Sequence, residues 1–117
     1  MKILVLSTDP ELALLRKRIL ETAGHEVVTL TSEKDALEAA EGKAPFELAL
    51  VCHKLPDATA RKFIRLFRQS RPDGKVVYVV HLYGEWPEVE ADRYVVGADG
   101  PDALVQIVSE AAAPTAP

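Results

Sequence analysis

Hydrophobic positions along this chain follow two rhythms in turn. Unbroken apolar runs stand at residues 3–6, 48–51 and 76–80, with shorter ones at residues 27–28 and 94–96. Between them, apolar residues recur every three or four positions among charged ones. A short apolar run bounded by turn residues reads as a strand buried on both faces, and the longer recurrence reads as a helix packed by one face. The alternation therefore predicts strand followed by helix, five times over.

Turn chemistry marks the boundaries. After residues 3–6, Thr8-x-x-Glu11 offers a capping box, and Asp9 before Pro10 offers an alternative cap with proline at the first helical position. The first helix carries an apolar stripe of Leu12, Leu15, Ile19 and Ala23, with Arg16, Lys17 and Glu21 between them, and Gly24 stops it. Residues 25–30 form the second strand. Ser32 caps a second helix with a narrow stripe of Ala36, Leu37 and Ala40, closed by Gly42. The strand entered at Phe46 ends in Cys52, His53 and Lys54 and breaks at Leu55-Pro56. Asp57 or Thr59 is expected to cap a third helix, whose apolar set is Ala60, Phe63, Ile64 and Phe67. Pro72-Asp73-Gly74 turns the chain into the strand at residues 75–80, which ends at His81. Residues 82–90, with Gly84 and Pro87, leave room for about two helical turns, so the fourth helix is expected to be stunted. Asp99-Gly100-Pro101-Asp102 opens the last helix, with Leu104, Ile107, Val108 and Ala111 as its apolar face. Strands alternating with helices mean a parallel sheet covered on both sides, an α/β fold in three layers.

Composition narrows this only modestly. The 117 residues suit one domain, expected over residues 1–111 with a flexible tail at 112–117. Hydrophobic residues at 48% and charged residues at 27% are an ordinary globular balance. A net charge of −4 argues against nucleic acid as the main partner, because phosphate binding needs a positive field. The single cysteine excludes an intrachain disulfide and fits a reducing compartment. The apolar run at residues 3–6 is too short for a signal-peptide core, and no stretch is long enough to span a bilayer, so a cytoplasmic setting without membrane contact is expected.

In parallel sheets, function collects just past the carboxyl ends of the strands. There stand Asp9, Cys52 and His81, which would make a thiol–imidazole–carboxylate group suited to redox sensing, metal binding or nucleophilic catalysis. Against that, a buried free cysteine is commonly an inert small hydrophobe. Strand alternation turns His53 away from Cys52, and His25 is expected in a solvated surface role. The third helix carries Arg61, Lys62, Arg65, Arg68 and Arg71 with no acid between them. Further on, Glu85, Glu88, Glu90, Asp92, Asp99 and Asp102 face only Arg93. A charge run is usually a solvated face, but opposite faces on one small domain can also steer a partner or stack copies. Tyr83 and Trp86 either cover sheet surface or, with Tyr94, Arg61, Arg65 and Arg68, belong to a contact surface.

The chain resembles a response-regulator receiver domain of two-component signalling, the CheY-like phosphoacceptor module. The resemblance rests on Ile3-Leu4-Val5-Leu6 with Asp9-Pro10-Glu11-Leu12, Ala23-Gly24-His25-Glu26-Val27, Phe46-Glu47-Leu48-Ala49-Leu50-Val51, Leu55-Pro56 and Ala91-Asp92-Arg93-Tyr94-Val95-Val96, and spans residues 2–111. It implies a flavodoxin-like sandwich with a five-stranded sheet in the order 2-1-3-4-5. The family's chemistry needs an acidic pair after the first strand for Mg²⁺, where Ser7 and Thr8 stand here. It needs a phosphoacceptor aspartate ending the third strand, where this chain has Cys52. It needs a hydroxyl residue ending the fourth strand and a lysine after the fifth, where His81 and Gly97 stand. Two hydroxyls do not replace two charges around Mg²⁺, and without the lysine nothing balances an incoming phosphoryl group.

The resemblance thus implies a degenerate receiver. It would be a stand-alone, phosphorylation-independent signalling domain that acts through a protein partner, with no cofactor, no bound metal and no enzymatic activity. The alternative is a cysteine-based redox or metal sensor, or a small enzyme, built on Cys52, His81 and Asp9. A conventional phosphoacceptor at Asp57 is disfavoured, because that residue lies beyond Leu55-Pro56. A homodimer is left open, but not the family's symmetric one on the acidic face, where like charges would meet across the twofold axis.

Overall fold

A computed structural model describes residues 1–81 and 89–112. Its five strands are β1 (Lys2–Leu6), β2 (Glu26–Leu30), β3 (Leu48–Cys52), β4 (Lys75–Val80) and β5 (Arg93–Val96). They form one parallel sheet in the order β2-β1-β3-β4-β5. The helices are α1 (Pro10–Thr22), α2 (Glu33–Glu41), α3 (Asp57–Ser70) and α4 (Pro101–Ala112), with a short 3₁₀ turn at Gly97–Asp99. The predicted class and sheet order are those observed, and each strand overlaps its predicted position, but β3 is shorter than the expected run from Phe46 to Lys54. The stunted fourth helix, with Tyr83 and Trp86, and the tail beyond residue 112 lie outside the described residues.

β3 is buried at every position, which is why its sequence shows no polar alternation. Alternate residues of the strands feed two separate cores. Ile3, Val5, Leu48, Leu50, Val77 and Val79 pack with Leu20 of α1 and Leu104 and Val108 of α4. Leu4, Leu6, Ala49, Val51, Val76 and Tyr78 pack with Ala36 and Ala40 of α2 and with Phe63, Ile64 and Phe67 of α3. Helices therefore cover both faces and leave the carboxyl edge of the sheet for the site. Among the described residues, no helix is long and apolar enough to cross a membrane.

Of the two caps considered for α1, Asp9 is the one used. Its Oδ1 accepts the amides of Glu11 and Leu12 at 3.0 and 3.3 Å, and Pro10 begins the helix. The helix ends in a Schellman motif: His25 N–H reaches Leu20 O and Gly24 N–H reaches Glu21 O, with Gly24 at φ 95°. The expected stripe of α1 is displaced. Ala13, Arg16 and Leu20 are the buried residues, while Leu15 is 54% exposed. Small Ala13 faces the interior, and Leu12, Leu15 and Ile19 instead line a cleft between α1 and α4.

α3 also differs from expectation. Neither Asp57 nor Thr59 caps it. Pro56 occupies the cap position without a side-chain hydrogen bond, and its carbonyl accepts the Ala60 amide at 2.9 Å. Asp57, in the first turn, still complements the positive end of the helix dipole. The turn after α3 requires glycine at position 74, because a Cβ there would lie 2.7 Å from Phe67 Cε2.

Candidate functional site

The site is a half-open cleft of about 400 Å³ at the carboxyl edge of the sheet, lined by Asp9, Leu12, Arg16, His53, Lys54, His81, Gly97 and Ala98. Segments following β1, β3, β4 and β5 each contribute to it, as does the first half of α1.

After β1, Ser7 is buried, and its hydroxyl is taken up by the backbone of Asp9. Ser7 Oγ donates to Asp9 O at 3.2 Å and accepts from Asp9 N–H at 3.1 Å. Thr8 is exposed. Asp9 Oδ2 accepts a hydrogen bond from Lys54 Nζ at 3.0 Å, forming an ion pair. Lys54, and then the amides of α1, hold the Asp9 carboxyl below the usual carboxylate range.

After β3, Cys52 is fully buried in the core under α2 and α3 and does not line the cleft. Its Sγ lies 3.7 Å from Nδ1 of His53. That reverses the expectation from strand alternation: β3 ends at Cys52, so its alternation no longer governs His53. The His53 ring stacks on His81 with centroids 4.9 Å apart. The thiol thus meets an imidazole, but that of His53, and Asp9 is engaged with Lys54. The expected Cys52–His81–Asp9 group is not assembled as a unit.

The absence of a lysine at Gly97, after β5, does not leave the cleft without cations. Lys54 and Arg16 both line the cleft. Arg16 is 7% exposed although it was assigned to the polar side of α1. A Cβ built on Gly97, where the resembled family has its lysine, would lie 3.9 Å from Arg16 Nη2. A guanidinium from α1 therefore reaches the region that a lysine after β5 would have entered. The missed signal was positional, for Arg16 lies four residues after Leu12 and three before Ile19, on one helical face.

Mg²⁺ does not fit these residues. It takes carboxylate oxygens in octahedral geometry, and the one carboxylate lining the cleft among the described residues already bonds Lys54 and two amides. Among the described residues, no group of three His, Cys, Asp or Glu could hold a metal ion. Asp57 does not line the cleft.

The remaining candidates are distributed elsewhere. Arg61 and Arg65 are exposed on α3. Arg68 pairs with Asp92 at 3.2 Å, so the basic helix and the acidic segment meet within the same domain at this point. Asp92 Oδ2 also accepts the Val76 amide at 2.7 Å, which fixes the approach to β5. The Tyr94 hydroxyl donates to Val89 O and accepts from Ala91 N–H, so it ties down the segment before β5. His25 is partly buried, with Nδ1 buried, and burial lowers its pKa first of all.

The fold is the flavodoxin-like, CheY-like fold of response-regulator receiver domains. A response-regulator receiver domain from Clostridium thermocellum superposes with a TM-score of 0.80 at 20% identity, covering 95% of this chain and 93% of that one. The chemotaxis protein CheY4 of Vibrio cholerae gives 0.78 at 21% identity, over 94% and 97%. A CheY-like receiver domain protein from Methanospirillum hungatei JF-1 gives 0.76 at 26% identity, over 93% and 90%. No family model and no curated protein matches the sequence.

Proposed function

We propose that this chain is a receiver-like signal-transduction domain that acts by contact with a protein partner, in the cytoplasm, without phosphoryl transfer and without catalytic activity of its own. The observation that carries the proposal is the end of β3. The residue there is a thiol with no exposed surface, and the cleft beside it is lined by Arg16 and Lys54 instead of an acidic pair. Carboxylate phosphorylation needs a carboxylate at the acceptor position and a divalent cation beside it. For the contact surface, Arg61 and Arg65 rim a shallow cleft with Ile64, Val89 and Glu90, which suits a partner with an acidic face.

Incubation with acetyl phosphate and Mg²⁺, followed by intact-mass measurement, is expected to leave the mass unchanged. A stable gain of one phosphoryl group would overturn the proposal.

The contact between Cys52 and His53 favours a second reading, a cysteine-based redox site. The complete burial of Cys52 opposes it. Native protein is expected to react with iodoacetamide at neutral pH at least about 100-fold more slowly than urea-unfolded protein, since access then requires opening of the core. Comparable rates in the two states would move the assignment to a redox-active thiol.

A further inference from the structure

One group in the cleft has no function in the reading above. Arg16 is only 7% exposed, yet Nη1 has no hydrogen-bond partner among the described residues. An unpaired buried donor costs about 1–3 kcal/mol, and more when the group is charged. A guanidinium is retained in such a place when something accepts from it. Among the described residues, the neighbouring charges leave it uncompensated within the cleft. Asp9 is the carboxylate that the described residues put in the lining, and Lys54 with two α1 amides already occupies it. The stacked rings of His53 and His81 add nitrogen atoms on the same wall. Gly97 contributes no side chain beside the guanidinium.

We propose that the cleft is a metal-free binding site for a small oxyanion, phosphate or carboxylate in type, held non-covalently by Arg16 with Lys54 and the imidazoles of His53 and His81. The site has exchanged the family's cation-assisted covalent chemistry for direct recognition of an anion by a guanidinium fork, which matches oxyanion geometry. A cleft of about 400 Å³ exceeds the bare ion and has room for a small molecule that bears one. Occupancy would join the segments after β1, β3, β4 and β5 and so set the rigidity of the carboxyl edge. The inference rests on the absence of phosphoryl transfer only in that the anion stays unattached.

The test is thermal unfolding of the full chain in EDTA with inorganic phosphate, and separately acetate, against chloride at matched ionic strength. A saturable rise in Tm of about 3 °C or more is expected with at least one of the two, and which one it is identifies the oxyanion type. The rise should vanish in Arg16→Gln. If that variant does not fold, Lys54→Ala replaces it, and the His53 and His81 ring resonances of the native protein should shift saturably on titration. No rise beyond chloride with either anion, or a rise unchanged in both variants, would overturn the proposal. Inorganic phosphate carries no transferable phosphoryl group, so this outcome is independent of the acetyl phosphate result. A mass gain there would sink the phosphorylation-independent reading and leave the anion result to be judged by itself.

Discussion

Arg71→Ala is expected to lower the stability of the fold by about 3 kcal/mol, the cost of removing a buried charged donor that satisfies several carbonyls at once. Arg71 follows α3 and is 8% exposed. Its Nη2 donates to Ala39 O at 3.2 Å, its Nη1 to Ala40 O at 3.1 Å and its Nε to Ala44 O at 2.9 Å. A helix ends with four carbonyls that lack intrahelical partners. In α2 the Gly42 amide takes Glu38 O at 3.1 Å, Arg71 takes the next two, and Ser70 Oγ reaches Glu41 O at 3.5 Å. The end of α3 therefore caps the end of α2. The guanidinium also lies over the rings of Phe67 and Phe46, 4.9 and 5.6 Å from their centroids. Burial lowers its pKa, the expected direction for a cation drawn from water. Urea unfolding measures the effect. Arg71→Lys is expected to recover less than half of the loss, because an ammonium cannot span three carbonyls in one plane. A loss within about 0.5 kcal/mol of zero for Arg71→Ala would show that water caps α2 equally well.

That capping role was not legible in the sequence, and the reason applies to the site as well. Strands buried on both faces announce themselves by their composition, so β1, β3 and β4 could be placed from local pattern alone. Caps at Asp9 and Ser32 are similarly local, since the donor and acceptor are a few residues apart. Arg71 and Arg16 act across the fold. Both stand in series of basic residues, where a solvated face is the ordinary expectation, and only the packing of α2 against α3, or of α1 against the sheet edge, turns them inward. The third helix thus looked like one basic surface. In the structure Arg71 is internal and Arg68 is paired with Asp92, leaving Arg61, Lys62 and Arg65 as its exposed cations.

The cleft was half legible. Its location followed from topology, because segments after β1, β3, β4 and β5 must converge on the carboxyl edge of a parallel sheet. The residues that end the strands, Ser7, Thr8, Cys52 and His81 among them, were also readable position by position. Which other side chains line the cleft was not. His53 was assigned by extending strand alternation one residue too far, and Lys54 was read only as the end of a strand. The ion pair between Lys54 and Asp9 joins residues separated by 45 positions, a contact that no local pattern encodes.

Stability is expected to fall between pH 10 and pH 12 through Tyr78. This residue of β4 is 2% exposed, and its phenol is pushed up to about 12, by burial first and then by the nearby charge of Asp57 and a charge at Cys52. In the unfolded chain the same phenol titrates near 10. Between these values the unfolded chain releases a proton that the folded chain retains, so folding loses free energy as pH rises. The contribution is complete below pH 10, declines through the interval and is gone above about pH 12. Two units of difference correspond to about 2.7 kcal/mol. Tyr78→Phe keeps the ring, which packs at 6.3 Å from that of Tyr94, and removes the titrating group. The variant is therefore expected to show a smaller fall in stability between pH 10 and pH 12 by urea unfolding. Absorbance at 295 nm should show one late-titrating phenol in the wild type that is absent from the variant. An equal alkaline loss in both proteins would assign it to groups other than Tyr78.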